Sequence, residues 1–396
     1  MKMVAKKELL KQLGQIVDFR AKDKITYPLN EILFMSLFGL LKGKHTFEQL
    51  HDWMEFNSNN TIFLKLFNKK SKLDIPCEST LHRILVNTDN EALEKVFRSF
   101  FSKYVSKKHI AVDGKWLNGS DVNGQYLKQS HKMIFNIFDK ESKIVIAHKF
   151  LEKGKLSEIP AFKELLEDER FSVVGGGQIF SFDALMTQVD ILETINNKNN
   201  YYIAKVKYNQ KELRDKVELT VNNFQNPTGS YTPYDSFQTE GNKWVKRKCE
   251  IYQNLNCDIV LYDSKFKNIQ TIIKTTKETT NKATAELKTT THYLIANFKT
   301  TAKEFQDIIL QHWGIGTYHY HTDMLTKEDN HICYIDPFSI AILRSFAVNL
   351  YQLFFNKYKG EKIIVENIQT KKPLTMARTK RYCENSDIFI SDLFEL

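Results

Sequence analysis

The chain has 396 residues, 42% of them hydrophobic, and a formal charge of +10. That length and apolar share allow two or three domains with real cores and exclude a disordered chain. The five cysteines, Cys77, Cys249, Cys257, Cys333 and Cys383, are odd in number and lack any CxxC spacing, which excludes a disulfide framework. The basic residues are spread along the sequence, and their excess makes nucleic acid the leading partner.

The opening stretch MKMVAKKELLKQLGQ lacks the apolar core and cleavage site of a signal peptide, so a first helix and a cytoplasmic protein are expected. Apolar residues then recur at helical spacing to about residue 106, as with Leu93, Val96, Phe97 and Phe100, which predicts an all-helical N-terminal domain over 1–106. Its most apolar run, ILFMSLFGLL at 32–41, is about half the length a bilayer requires and reads as a core helix, with no membrane partner. In PCESTLHRIL, Pro76 and Ser79 are placed to start a helix that exposes His82 and Arg83. This is either a DNA-reading helix or an ordinary capped helix of a bundle.

Beyond residue 108 the period falls from 3.6 to 2. HIAVDG, KMIFNIFD and KIVIAHKF read as strands, the last two joined by a turn at 139–142. A helix over 159–168 follows, then a glycine hinge at 175–177, a strand ending at Asp183, a helix, and the strand YYIAKV. This order predicts an α/β domain over 107–357, a mixed sheet flanked by helices. A Lys-, Thr- and Asn-rich stretch over 209–290 reads as a β-rich insertion, and helices are expected over 302–320 and 338–357. The basic segment 358–396 is expected to pack loosely.

Two of the predicted strands end in an aspartate, Asp113 after IAV and Asp183 after IFSF. If the first and fourth strands lie side by side, both acids reach one sheet edge. Two carboxylates held close repel unless a cation lies between them, and Mg²⁺ typically takes one or two carboxylates, completing its shell with water and phosphate oxygens. Gly114 would then permit close approach and Lys115 would meet phosphate. The competing reading makes both acids ordinary turn residues.

IAVDGKWLNGS, KLSEIPAFKELLE, FDALMTQ, YYIAKVKYNQKEL, QHWGI and KEDNHI, in this order and spacing, resemble the ISAs-type, or H-repeat-associated, insertion-sequence transposases. The N-terminal LLKQLGQIVDFRAKDKITYPLNEILFMSLFGLL is similar to that family's leading helical domain. The resemblance implies a ribonuclease-H-like core, an Asp-Asp-Glu triad beginning with Asp113 and Asp183, and Mg²⁺ or Mn²⁺ as cofactor. It also implies double-stranded DNA as partner, both terminal inverted repeats and target, with a homodimer assembled on it. Where the family reads HWGIEN, this chain reads HWGIGTYHYHTDMLTKEDNH, with Gly316 in the glutamate's place. Glu328, in the matching KED, is the expected third catalytic and metal-binding carboxylate, with Asp323 behind it. The alternative function is a catalytically degenerate, transposase-derived DNA-binding protein.

Two other patterns bear on binding. Lys243, Trp244, Lys246, Arg247 and Lys248 form a basic–aromatic piece suited to tracking phosphates, with Trp244 able to stack on an unpaired base; a solvated edge of the insertion is the plain alternative. His319, His321, His331 and Cys333 offer zinc donors, but their H-x-H and H-x-C spacings do not match a finger.

Overall fold

The computed structural model describes residues 4–118, 132–151, 158–168, 175–223, 230–253, 265–330, 333, 336–365, 368–370 and 372–394. The chain folds into two compact units, one formed by Met1–Ser106, Gly114–Ser157 and Gly316–Leu396, the other by Lys107–Asp113 and Glu158–Ile315.

The first unit begins with helices α1 (Val4–Leu13), α2 (Leu29–Leu41), α3 (Phe47–Phe56), α4 (Thr61–Leu66), α5 (Glu78–Val86) and α6 (Asn90–Phe101). Side-chain caps set several starts: Thr46 accepts from the Gln49 N–H ahead of α3, and Asp89 accepts from the Ala92 N–H ahead of α6. Helix α6 buries Leu93, Val96, Phe97, Phe100 and Phe101, a single face at helical spacing. That face meets a hairpin of β2 (Met133–Asp139) and β3 (Ile144–Leu151), where Phe97 lies 4.5 Å from His148, centroid to centroid. The turn comes at the expected place, with Lys143 at φ 59° closing a bond to the Asp139 carbonyl.

The 21-residue helix α12 (Phe338–Tyr358, preceded in the chain by α10, Ala302–His312, and α11, Gly314–Thr326) is long and apolar enough to cross a membrane, yet 94% of its most apolar window is buried. It is a core helix. The C-terminal segment departs from expectation. Instead of packing loosely, α13 (Met376–Asn385) and α14 (Asp387–Leu393) bury Cys383, Phe389, Ile390 and Leu393, and Phe394 stacks on Phe34 at 5.9 Å. Among the described basic residues Lys372 and Arg381 are exposed while Arg378 and Lys380 are partly buried, and the apolar positions between the charges carry the packing.

In the second unit, His109–Ala111 of β1 (His109–Trp116) pair in parallel with β4 (Ile179–Phe182), which pairs in parallel with β5 (Tyr201–Val206). From β5 the sheet continues antiparallel through β9 (Leu287–Ala296), β8 (Thr271–Asn281), β7 (Lys243–Gln253) and β6 (Ser230–Glu240). It is a large mixed sheet flanked by helices, as the sequence order implied. The expected insertion is β-rich, but a helix, α9 (Lys211–Asn222), precedes its strands. Helices α7 (Glu158–Glu167) and α8 (Val189–Asn197) accompany the parallel strands. Helix α10 (Ala302–His312) packs Phe305 and Ile308 onto Ile203, Cys249, Ile251 and Ile273.

The glycines at 175–177 all have positive φ, and at Gly176, with φ +78°, a Cβ would stand 2.4 Å from the Asn199 carbonyl oxygen. Only glycine allows this approach. The single helix expected over 302–320 is instead two, broken at Trp313, with α11 (Gly314–Thr326) restarting at a glycine, the residue least favourable to an uninterrupted helix after proline.

Candidate active site

Asp113 and Asp183 stand in matched positions. The parallel register pairs His109 with Ile179, Ile110 with Phe180 and Ala111 with Ser181, and each aspartate follows two residues after that last pair. In a parallel ladder the two positions share a face, and neighbouring strands are about 4.8 Å apart. The first and fourth strands thus lie side by side, as the reading of paired carboxylates requires.

Asp183 accepts a bond of 3.0 Å from Lys207 Nζ. Burial opposes its ionisation, but the Lys207 bond, an Ala184 N–H and the charges of Lys207 and Lys205 together hold its carboxyl below the usual range. His292 is lowered first by burial and then by the two lysines. The backbone around Asp183 is fixed by Asn209 and Gln210, whose side-chain amides donate to the Ala184 carbonyl at 3.0 and 2.6 Å. Ser181 Oγ and His312 Nδ1 are 3.0 Å apart beneath it.

Two hard oxygen donors on adjacent strand ends, one held ionised, fit a divalent cation that completes its shell with water and phosphate. Among the described residues, no group of three or more His, Cys, Asp or Glu side chains is arranged to hold a metal. The pair supplies the carboxylate donors it can, and no third joins it within that set.

Lys115, expected at phosphate, is turned inward within the first unit. Its ammonium, 8% exposed, donates to Thr322 Oγ1 at 2.9 Å and to the carboxylates of Asp323 and Glu328, with Asp329 Oδ1 at 3.8 Å. Glu328 is correspondingly buried, its side chain 3% exposed. Burial opposes its charge, but Lys115 and Arg344 hold its carboxyl below the ordinary value. Asp323, at the rim, is pushed up to about 6 by burial despite Lys115. The expected third ligand therefore already serves as counter-ion to a buried lysine, and its reserve, Asp323, shares the same ammonium.

The other expected residues are dispersed. Arg83 is exposed on α5, with Nη2 3.5 Å from Thr80 Oγ1, while its neighbour His82 packs edge-on against Phe47. Along β7 the basic cluster divides: Lys243, Lys246 and Trp244 are exposed, whereas Arg247 pairs with Glu240 at 2.5 Å and Lys248 with Glu250 at 2.8 Å. His319 Nε2 lies 2.9 Å from the Asn136 amide; His331 falls outside the described residues. Sequence reasoning missed Lys205 and Lys207. Their alternation in AKVK at the end of β5 was the available signal, since residues two apart share a face.

The profile described as transposase DDE domain matches residues 102–319, and that described as DDE_Tnp_1-associated matches residues 10–101. The chain belongs to the transposase DDE family. Its relatives include the proposed transposase YncI of Escherichia coli O157:H7, 27% identical over 338 residues, or 81% of this chain and 80% of that protein. The H repeat-associated proposed transposase YhhI of Escherichia coli K12 is 25% identical over 367 residues, 87% of this chain and 90% of its own. Among solved structures, the piggyBac transposase synaptic complex with hairpin DNA aligns at 12% identity with a TM-score of 0.47, over 98% of this chain and 78% of that one, a likeness too small to build on.

Proposed function

We propose that the chain is a metal-dependent DNA transposase that cuts at the ends of its insertion sequence and joins them to target DNA. The observation that carries the reading is the matched register of Asp113 and Asp183 on parallel neighbours. The ribonuclease-H-like assignment belongs to the same proposal, supported by the parallel run β1–β4–β5 with α8 crossing from β4 to β5.

When bound, Mg²⁺ or Mn²⁺ would supply Lewis-acid activation of a water or 3′-hydroxyl and stabilise the leaving oxygen. Asp113 and Asp183 would hold it, and the contacts that keep the Asp183 carboxyl below its usual range suit that role. The chemistry asks no side chain to act as nucleophile. The proposed partners are the element's terminal inverted repeats and target DNA, with a homodimer pairing the two ends. Arg83, Lys243, Trp244 and Lys246 are the proposed outlying DNA contacts.

One observation favours the second reading, a degenerate DNA-binding protein: glycine occupies position 316, where the resembling family carries glutamate, and the downstream carboxylate Glu328 already pairs with Lys115. Incubation of the chain with end-labelled DNA bearing the gene's flanks, in Mg²⁺ and in Mn²⁺, separates the two. Cutting that vanishes in Asp113→Asn supports the enzyme. Binding without cutting, converted to cutting by Gly316→Glu, supports the degenerate reading; a Cβ at Gly316 meets no described atom within 4 Å, so the added side chain has room. Cutting that survives Asp113→Asn would contradict both.

A further inference from the structure

The carboxyl end of β5 continues the row begun by the two aspartates. Ser181 pairs with Ile203 and Phe182 with Ala204, so the next step sets Lys205 beside Asp183. Two residues on, Lys207 reaches back to Asp183 Oδ2 at 3.0 Å, and both side chains of that pair are nearly half exposed, 46% and 45%. Lys205 Nζ lies 6.0 Å from the ring centroid of Trp313, itself 60% exposed. Arg214 stacks its guanidinium 4.1 Å from the ring centroid of Tyr208, which is 77% exposed.

Arg214 is itself paired with Glu218 at 2.5 Å, so this edge combines two acids, two lysines and two exposed aromatic rings at the place where open α/β sheets bind ligands, outside the carboxyl ends of their parallel strands. An exposed lysine–carboxylate pair is weak and exchanges readily. With two carboxylates facing a divalent cation, the acidic charge is balanced by that cation, and the lysines are left to face an anion. Mg²⁺ on one or two carboxylates usually takes substrate phosphate oxygens as well, and on the DNA reading that phosphate is a phosphodiester.

We propose that Lys205 and Lys207 are the phosphodiester-gripping residues of this site, and that Lys207 is an exchangeable counter-ion. It neutralises Asp183 in the metal-free chain and turns to a DNA phosphate when a divalent cation takes that carboxylate. The proposal rests on the DNA reading above, and it concerns binding, so it is tested without turnover.

The test is fluorescence anisotropy of the full chain with labelled duplex carrying the gene's flanks, titrated across NaCl concentrations, in EDTA and in Ca²⁺. In EDTA, Lys207→Gln leaves the slope of log K against log salt near the wild-type value, because Asp183, and not a phosphate, holds that ammonium. In Ca²⁺ the same variant weakens binding about tenfold and reduces the slope of log K against log salt by about 0.9, the loss of one phosphate contact. Lys207→Arg keeps the slope, and Lys205→Gln lowers it in both conditions. Asp183→Asn, which releases Lys207, tightens binding in EDTA. Tight DNA binding with wild-type slopes in both glutamine variants would overturn the lysine proposal and leave the transposase reading intact. A chain that binds no DNA in either condition would overturn the DNA reading and the lysine proposal with it. Because Lys207 is exposed, its variants isolate charge from folding; circular dichroism confirms the fold of Lys205→Gln.

Discussion

Lys207–Asp183 and Lys115–Glu328 are both lysine–carboxylate pairs, yet their surroundings give them opposite uses. The first is nearly half exposed on both sides, and its carboxylate stands at a sheet edge beside a second aspartate position. The second is sealed, with 8% and 3% exposure, and satisfied further by Thr322 and Asp323. A carboxylate whose cation is exposed and weakly held exchanges partners more readily than one buried with its cation. Asp183 is the exposed case and Glu328 the buried one.

The contrast predicts a steep gradient of effects. Lys115→Met, which leaves buried carboxylates without their cation, should lower unfolding stability by about 3–5 kcal/mol. Lys115→Met with Glu328→Leu should recover much of that loss, because removing both charges is far less costly than stranding one. Urea unfolding of the two variants checks this; equal, near-wild-type stability of Lys115→Met would dissolve the distinction between the pairs.

The buried polar seam of the first unit should also make the protein acid-labile. Burial is the main cause that holds His45 and His148 down to about 3 and His319 to about 4. Unfolded imidazoles take up protons near pH 6.5 while these do not, so their stabilisation is complete above pH 6.5 and is lost as pH falls from there toward 3–4. Asp323, raised to about 6, acts in the opposite sense between about pH 6 and 4, but as one group against three. Urea midpoints should therefore fall from pH 7 to pH 5, and His148→Phe, which removes a ring with neither nitrogen bonded, should flatten the fall.

A smaller effect belongs to Gly316→Glu. Replacing glycine within α11 by a good helix former, near a helix start that favours acids, should add about 1 kcal/mol. The smallest is Lys207→Gln, expected within about 1 kcal/mol of wild type, since exposed pairs contribute little. A large loss in that variant would mean the exposed pair is structural too.

Much of this was legible in the sequence because it is local. The switch from helical to alternating spacing at 108 marks the strands, and two apolar runs that each end in Asp predict the paired positions before any fold is known. The partners of Lys115 were not legible, because Thr322 and Glu328 lie more than two hundred residues away and nothing local to DGK distinguishes a phosphate contact from a buried anchor. The tail misled for a related reason: its basic composition concealed Phe389, Ile390 and Leu393, whose spacing matters more than the charges between them. Lys205 and Lys207 were readable as one face of β5, but only the register beside Asp183 gives that face a use.

The most direct test of the account is a calorimetric titration of Mn²⁺ into the chain bound to flank DNA, comparing Asp113→Asn, Asp183→Asn and Glu328→Gln with wild type. The exposed-pair account predicts that the binding heat disappears in both aspartate variants and persists in folded Glu328→Gln. Heat that persists in the aspartate variants and disappears in Glu328→Gln would contradict it.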